Sequence, residues 1–257
     1  MNINKPHVEQ TFAAYTAKYN PADPKIKLKI DHTYRVATFC DSIARSLNLS
    51  DEDRDIAWLC GMLHDLGRFE QIKRYGTFND SQSIDHAKLS ADLLFEEHLA
   101  DDYAYGFEQD AMRPVIELAI RSHSAYRLPE GISAREKMFC DILRDADKID
   151  IFRVNIDTSP EEIYNVTTEE LKNSQISQEV MQCFEEEHAV LRSLKKTAID
   201  NYVAHMALTF ELVYPKSRQL VYEQGYLAQM LEFKSDNSVT NEQLSQIREK
   251  LEAFLNK

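Results

Sequence analysis

The sequence is short of the residues that interrupt regular structure. Its 257 residues hold six glycines and seven prolines, too few for the many tight turns of an all-β architecture. It also lacks any apolar run approaching the ~18–20 residues of a membrane span. The opening stretch MNINKPHVEQTF has no apolar core of a secretory signal, so a cytoplasmic location and no membrane partner are expected. Cysteine is scarce and scattered: Cys40, Cys60, Cys140 and Cys183 form no C-x-x-C. That spacing fits small buried hydrophobes in a reducing compartment rather than a disulfide frame or a zinc site. Basic residues are outnumbered, 30 Lys and Arg against 43 Asp and Glu, for a net charge of −13. A nucleic-acid polymer needs a basic surface and is therefore not expected as a partner. A small phosphorylated ligand remains open, because a few local arginines or a bound metal reverse the sign of one pocket.

What the chain does have, from end to end, is helical periodicity. After a loop holding Pro21 and Pro24, HTYRVATFCDSIARSLNL places Val36, Phe39, Ile43 and Leu47 on one stripe. SDEDRDIAWLCGMLHDLG follows, with Ser50 and Asp53 as a capping pair and Gly67 as a C-terminal stop. The turn-prone RYGTFNDSQS leads into IDHAKLSADLLFEEHL, and then into MRPVIELAIRSHSAY with Pro114 in a first turn. SAREKMFCDILRDADKIDIF opens on a capping box from Ser133 to Glu136. Beyond Ser159, SPEE and TTEE read as helix starts. A long helical segment is expected from about His188 to Phe210, another around Tyr222 to Phe233, and a last one near Gln243 to Leu255. The expectation is a single all-α domain over residues 1–257, with its core at about 30–152 and a helical extension at about 159–257.

The ionisable groups fall on the wrong faces of these helices for a solvated surface. His32 shares the stripe of Val36 and Phe39, and His64 that of Ile56 and Cys60. His86 lies with Leu89 and Leu93, His123 with Ile116 and Ile120, and Asp147 with Cys140 and Leu143. Each lies within about a turn of a helix end. A lone histidine on an apolar face is more often a satisfied core residue than a ligand. Five such positions on five successive helices, with Asp65 beside His64, are explained together by a bundle converging on metal. The other histidines behave differently: His188 follows three glutamates, His7 lies in a mobile-looking N-terminal segment, His98 sits at a frayed end, and His205 reads as core.

Four imidazoles and two carboxylates suit iron, manganese, nickel or zinc better than magnesium. Asp65 has two oxygens and is able to bridge two ions ~3.5–4 Å apart. Gly61, one turn earlier, would leave room on that side.

At these residues the chain resembles the HD superfamily of metal-dependent phosphohydrolases, named for its His-Asp doublet. The family order is met by His32, His64-Asp65, His86, His123 and Asp147, in the local contexts HDLGR, DHA, RSH and DADK. The resemblance runs from about Ile30 to Phe152. It implies an HD-domain helical bundle with additional C-terminal helices. It implies that His32, His64, Asp65 and Asp147 hold a first metal, and His86, His123 and a bridging Asp65 a second, with iron or manganese favoured. Water or hydroxide between the metals would be the nucleophile. Arg68, Arg35 and Lys148 are candidates to stabilise charge on the phosphate, each weighed against an ordinary surface cation. Asp145 and Asp150 read as caps or salt-bridge partners.

The expected function is hydrolysis of a phosphate ester of a nucleotide or other small metabolite. One alternative is a di-iron oxygenase, because myo-inositol oxygenase and an organophosphonate-cleaving relative have a similar ligand arrangement. Another is a nucleotide-binding regulatory module with structural metals. The part after Phe152 carries no comparable motif. Its aromatics Tyr202, Tyr214, Tyr222, Tyr226 and Phe233 read as core, with a pocket wall or a homo-oligomer face as the other options.

Overall fold

The computed structural model describes residues 3–257. It is 71% helical, with no strand among the described residues, as the periodicity requires. The chain divides into two compact units, Met1–Asp147 and Lys148–Lys257.

The first unit is built from α1 (Lys5–Thr16), α2 (Pro24–Ser46), α3 (Asp51–Leu63), α4 (Leu66–Tyr75), α5 (His86–Phe95), α6 (Ala100–Tyr103), α7 (Arg113–Ser122) and most of α8 (Ala134–Asp157). The starts are set by side-chain caps. Asp23 accepts from Lys25 N before α2, Ser50 from Asp53 N before α3, and Asp85 from Lys88 N before α5, each satisfying an orphan donor of a first turn. The Ser133–Glu136 box forms in both directions, with Ser133 N donating to Glu136 and Glu136 N to Ser133. Pro114 sits in the first turn of α7.

Two glycines set how closely these helices approach. A Cβ on Gly61 of α3 would stand 2.5 Å from the Ala37 Cα of α2. The space beside Gly61 is therefore filled by the backbone of α2, not left for a metal. A Cβ on Gly67 would stand 2.6 Å from both His86 O and Ser90 N of α5. Gly67 is also not a helix stop: α3 ends at Leu63, the chain turns at His64 and Asp65, and α4 starts at Leu66. The close approach to α5 explains the glycine; a chain terminus of the helix does not.

The N-terminal segment is α1 rather than a mobile stretch. Val8 and Phe12 are fully buried, Phe12 meets Phe69 edge-on at 5.9 Å, and His7 Nε2 lies 2.9 Å from Asp102 O. All four cysteines are buried and free.

The second unit holds the end of α8 and then α9 (Pro160–Tyr164), α10 (Thr168–Asn173), α11 (Gln178–Glu185), α12 (Ala198–Met206), α13 (Pro215–Gln224), α14 (Tyr226–Leu231) and α15 (Ser238–Leu255). SPEE and TTEE do start helices, capped by Ser159 and Thr167. The long helix expected from His188 to Phe210 is shorter. Only Ala198–Met206 is α-helical, with Ala207–Glu211 continuing as a 3₁₀ turn. Gly225, at φ 71°, separates α13 from α14. Phe210 meets buried Phe184 and half-buried Phe254 edge-on, with ring centroids 5.7 and 5.2 Å apart. Tyr202 packs on Phe233 at 5.1 Å, while Tyr222 is largely exposed. No helix among the described residues is long and apolar enough to cross a membrane.

Candidate metal centre

Four helix-end residues and two from helix interiors bring six ionisable side chains of the first unit to one place. His32 and Asp147 sit inside α2 and α8, not within a turn of an end, because both helices run on beyond the segments their periodicity marks. His32 points inward from the middle of α2. His64 and Asp65 occupy the two-residue turn between α3 and α4, and His86 is the first residue of α5. His123 follows the last residue of α7, and Asp147 lies on α8. The turn between α3 and α4 matters because it lets adjacent residues face one centre. In a continuous helix they would diverge by about 100°. His32, His64, Asp65, His86 and His123 are all buried.

The contacts sort around the two oxygens of Asp65. Its Oδ2 lies 3.5 Å from Nε2 of His32 and of His64, and His32 Nε2 lies 3.2 Å from Asp147 Oδ1. Its Oδ1 lies 3.6 Å from His86 Nε2 and 3.7 Å from His123 Nε2. The two histidine pairs close at 3.3 Å, His64 to His32, and 3.1 Å, His86 to His123. Ligand atoms about 2.0–2.2 Å from an ion stand roughly 3–3.6 Å from one another, which is the spacing seen. His32 with His64 and Asp147, and His64 with Asp65 and His123, each form a group able to hold a metal.

The hydrogen atoms make the same case. Nδ1 of His64 lies 2.7 Å from Gly61 O, and Nδ1 of His123 lies 2.7 Å from Ile120 O. A carbonyl oxygen only accepts, so both Nδ1 atoms carry protons. Burial pushes His64 down to about 3 and His86 down to about 4, despite the carboxylates beside them. These rings are then neutral, with bare lone pairs on Nε2. His86 is held in the same way through Nδ1, 2.7 Å from Asp80 Oδ2. The bare nitrogens of His86 and His123, 3.1 Å apart, repel unless a cation lies between them. Asp65 is short of partners on the same side: its Oδ1 is buried with no hydrogen bond. Burial alone would raise the Asp65 carboxyl, but the Lys29 ammonium and the neighbouring histidines hold it well below the usual range. A buried carboxylate oxygen left unpaired costs several kcal/mol, and a divalent ion answers that cost. The donor set fits a metal.

The arginine and lysine candidates are placed unequally. Arg68 Nη1 donates to Gln71 Oε1 (2.8 Å), Phe78 O (2.7 Å) and Asp80 Oδ1 (3.0 Å). Its Nε, buried without a hydrogen bond, lies 3.7 Å from Asp65 Oδ1. Arg35 is half-buried on α2, one turn after His32. Lys148 is buried and follows Asp147 on α8, at the start of the second unit. Asp145 and Asp150 are fully buried in the interior of α8, so neither caps a helix.

Three polar residues at this centre were not apparent beforehand. Asp80 holds His86 Nδ1, and Gln71 Nε2 fixes Asp80 Oδ1 at 2.8 Å. Both belong to α4 and the loop after it, where no periodicity marks them. Lys29 Nζ lies 2.7 Å from Asp65 Oδ2. Its signal was available: it stands three residues before His32, on the same side of α2.

The HD domain family model matches residues 30–155. Over 92 residues the chain is 26% identical to the 3'3'-cGAMP-specific phosphodiesterase 1 of Vibrio cholerae serotype O1, covering 34% of this chain and 21% of that protein. The chain thus spans about a fifth of the curated relative it matches. No solved structure matches it.

Proposed function

Residues 30–155 of this chain form an HD domain, and from that premise we propose that the protein is a metal-dependent phosphohydrolase. Its substrate would be a phosphate ester of a nucleotide or another small metabolite. The observation that carries this is the division of Asp65, with Oδ2 toward His32 and His64, and Oδ1, which accepts no hydrogen bond, toward His86 and His123. In this reading His32, His64, Asp65 and Asp147 hold one divalent transition ion, and Asp65, His86 and His123 hold a second. Bound there, the ions supply a water acidic enough to attack at neutral pH and positive charge for the phosphoryl oxygens.

The protein's own groups do the rest. Gly61 O and Ile120 O keep the protons of His64 and His123 on Nδ1, so their Nε2 atoms stay available as donors. Asp80 does the same for His86, and is itself fixed by Arg68 and Gln71. Arg68, Arg35 and Lys148 are the cations of this chain proposed to meet substrate charge. The cGAMP-specific relative supports a nucleotide phosphodiester as the first substrate class to try.

The test is elemental analysis of protein purified without added metal or chelator, followed by phosphate and nucleotide release from a panel of mono- and diesters. About two transition ions per chain and turnover of an ester are expected. Oxygen uptake with a polyol or phosphonate, and no ester hydrolysis, would move the assignment to a di-iron oxygenase. Tight nucleotide binding without turnover would make the protein a regulatory module.

A further inference from the structure

Asp65 carries a cation that the His-Asp pattern does not include. Lys29 Nζ lies 2.7 Å from Asp65 Oδ2, the oxygen that faces His32 and His64 at 3.5 Å. Among the described residues, Lys29 pairs with no carboxylate except Asp65, although Asp147 Oδ1 is within 3.2 Å of His32. The ammonium thus meets Asp65 Oδ2 directly, the oxygen also approached by His32 and His64.

Exposure locates the mouth of the centre. The side chains of His32, His64, Asp65 and His123 are at most 2% exposed, whereas Lys29 reaches 11%, Arg68 15%, Asp80 17% and Asp147 19%. Two cations thus stand at the rim. The Nη1 of Arg68 is committed to three acceptors. Lys29 gives one hydrogen bond to Asp65 and rests 5.5 Å from the centre of the Phe78 ring, a contact that uses no N–H. An ammonium has three protons, so two remain to donate toward the opening.

We propose that Lys29 is a further substrate-contacting residue, holding Asp65 Oδ2 while donating to a non-bridging oxygen of the phosphoryl group bound at the centre. A compact ammonium suits one phosphoryl oxygen as a point charge. This rests on the phosphohydrolase reading, and its test is independent of turnover. Metal-loaded wild type, Lys29→Met and Lys29→Gln are titrated with inorganic phosphate by calorimetry, and their ions are counted by elemental analysis. Glutamine keeps a donor for Asp65 and removes the charge. Both variants are expected to keep the wild-type ion content and to lose about tenfold or more in phosphate affinity. If only the methionine variant sheds ions, the glutamine variant decides by the same phosphate reading. Unchanged phosphate affinity in a variant that keeps its ions overturns the assignment. So does loss of ions from both variants, since Lys29 then only positions Asp65, and so does a wild type that takes up no ions or no phosphate. Phosphate binding that depends on Lys29, in a protein that hydrolyses no ester, would leave Lys29 assigned and remove the hydrolase reading.

Discussion

Asp65 in the first unit and Asp200 in the second are both aspartates almost wholly removed from solvent, and they are treated in opposite ways. Asp200 receives Ser177 N at 2.9 Å on Oδ1, and Lys196 N at 2.8 Å and Thr197 N at 3.0 Å on Oδ2, with the Ser177 hydroxyl as well. Both its oxygens are satisfied by the loops it ties to α12. Asp65 has Lys29 on one oxygen and no hydrogen bond on the other. Elsewhere in the second unit, buried Asn155 and half-buried Tyr164 and His205 likewise bond to one another. An unsatisfied buried carboxylate is the physical mark of a site awaiting a cation, and burial by itself is not.

Replacing each aspartate is the strongest way to break this contrast. Asp65→Ala should lose both ions and reduce ester hydrolysis by ~10³-fold or more. Its melting temperature should no longer respond to a chelator. Asp200→Ala should keep its ions while folded and lose roughly 3 kcal/mol of stability in denaturant titration. If Asp65→Ala retained full metal content, the bridging role would be wrong. If Asp200→Ala lost its ions below its melting transition, the two units would not differ as described.

Smaller changes test the supports of the first unit. His86→Ala should lose mainly the second ion. Asp80→Asn, which weakens the hold on His86 Nδ1 and loosens the Arg68 contact with it, should lower affinity for that ion by ~10–100-fold and spare the first; equal loss at both would show that Asp80 acts on the whole centre. Gly61→Ala puts a methyl against Ala37 of α2 and should cost about 1–3 kcal/mol. A melting temperature equal to wild type would mean that the approach of α3 to α2 is not tight. His188→Ala, in the second unit, should change stability by less than ~0.5 kcal/mol and leave ion content untouched. A drop in ion content there would undo the sorting of the histidines.

Much of this was legible from the sequence because helices obey short-range rules. The all-α class, the caps at Ser50, Ser133, Ser159 and Thr167, and the inward faces of His32, His64, His86 and His123 all follow from residues within a few positions of one another. The HD order of residues follows from local contexts as well. The errors occurred where the deciding neighbour is distant in the chain. Gly67 resembles a stop locally, and its reason lies on α5 at His86 and Ser90. Gly61 suggests open space, and α2 fills it. His7 follows the same rule, since the carbonyl that anchors it belongs to Asp102, 95 residues away.

What the sequence by itself determined, then, is which side chains turn inward and which family of helices carries them. Only the tertiary structure decided that the two oxygens of Asp65 face different histidine pairs, that Asp80 from a loop holds His86, and that Lys29 stands on Asp65. The physical reason is one of range. Periodicity and capping are set by contacts within one or two helical turns, whereas whether the Asp65 charge is paired depends on a lysine 36 residues away.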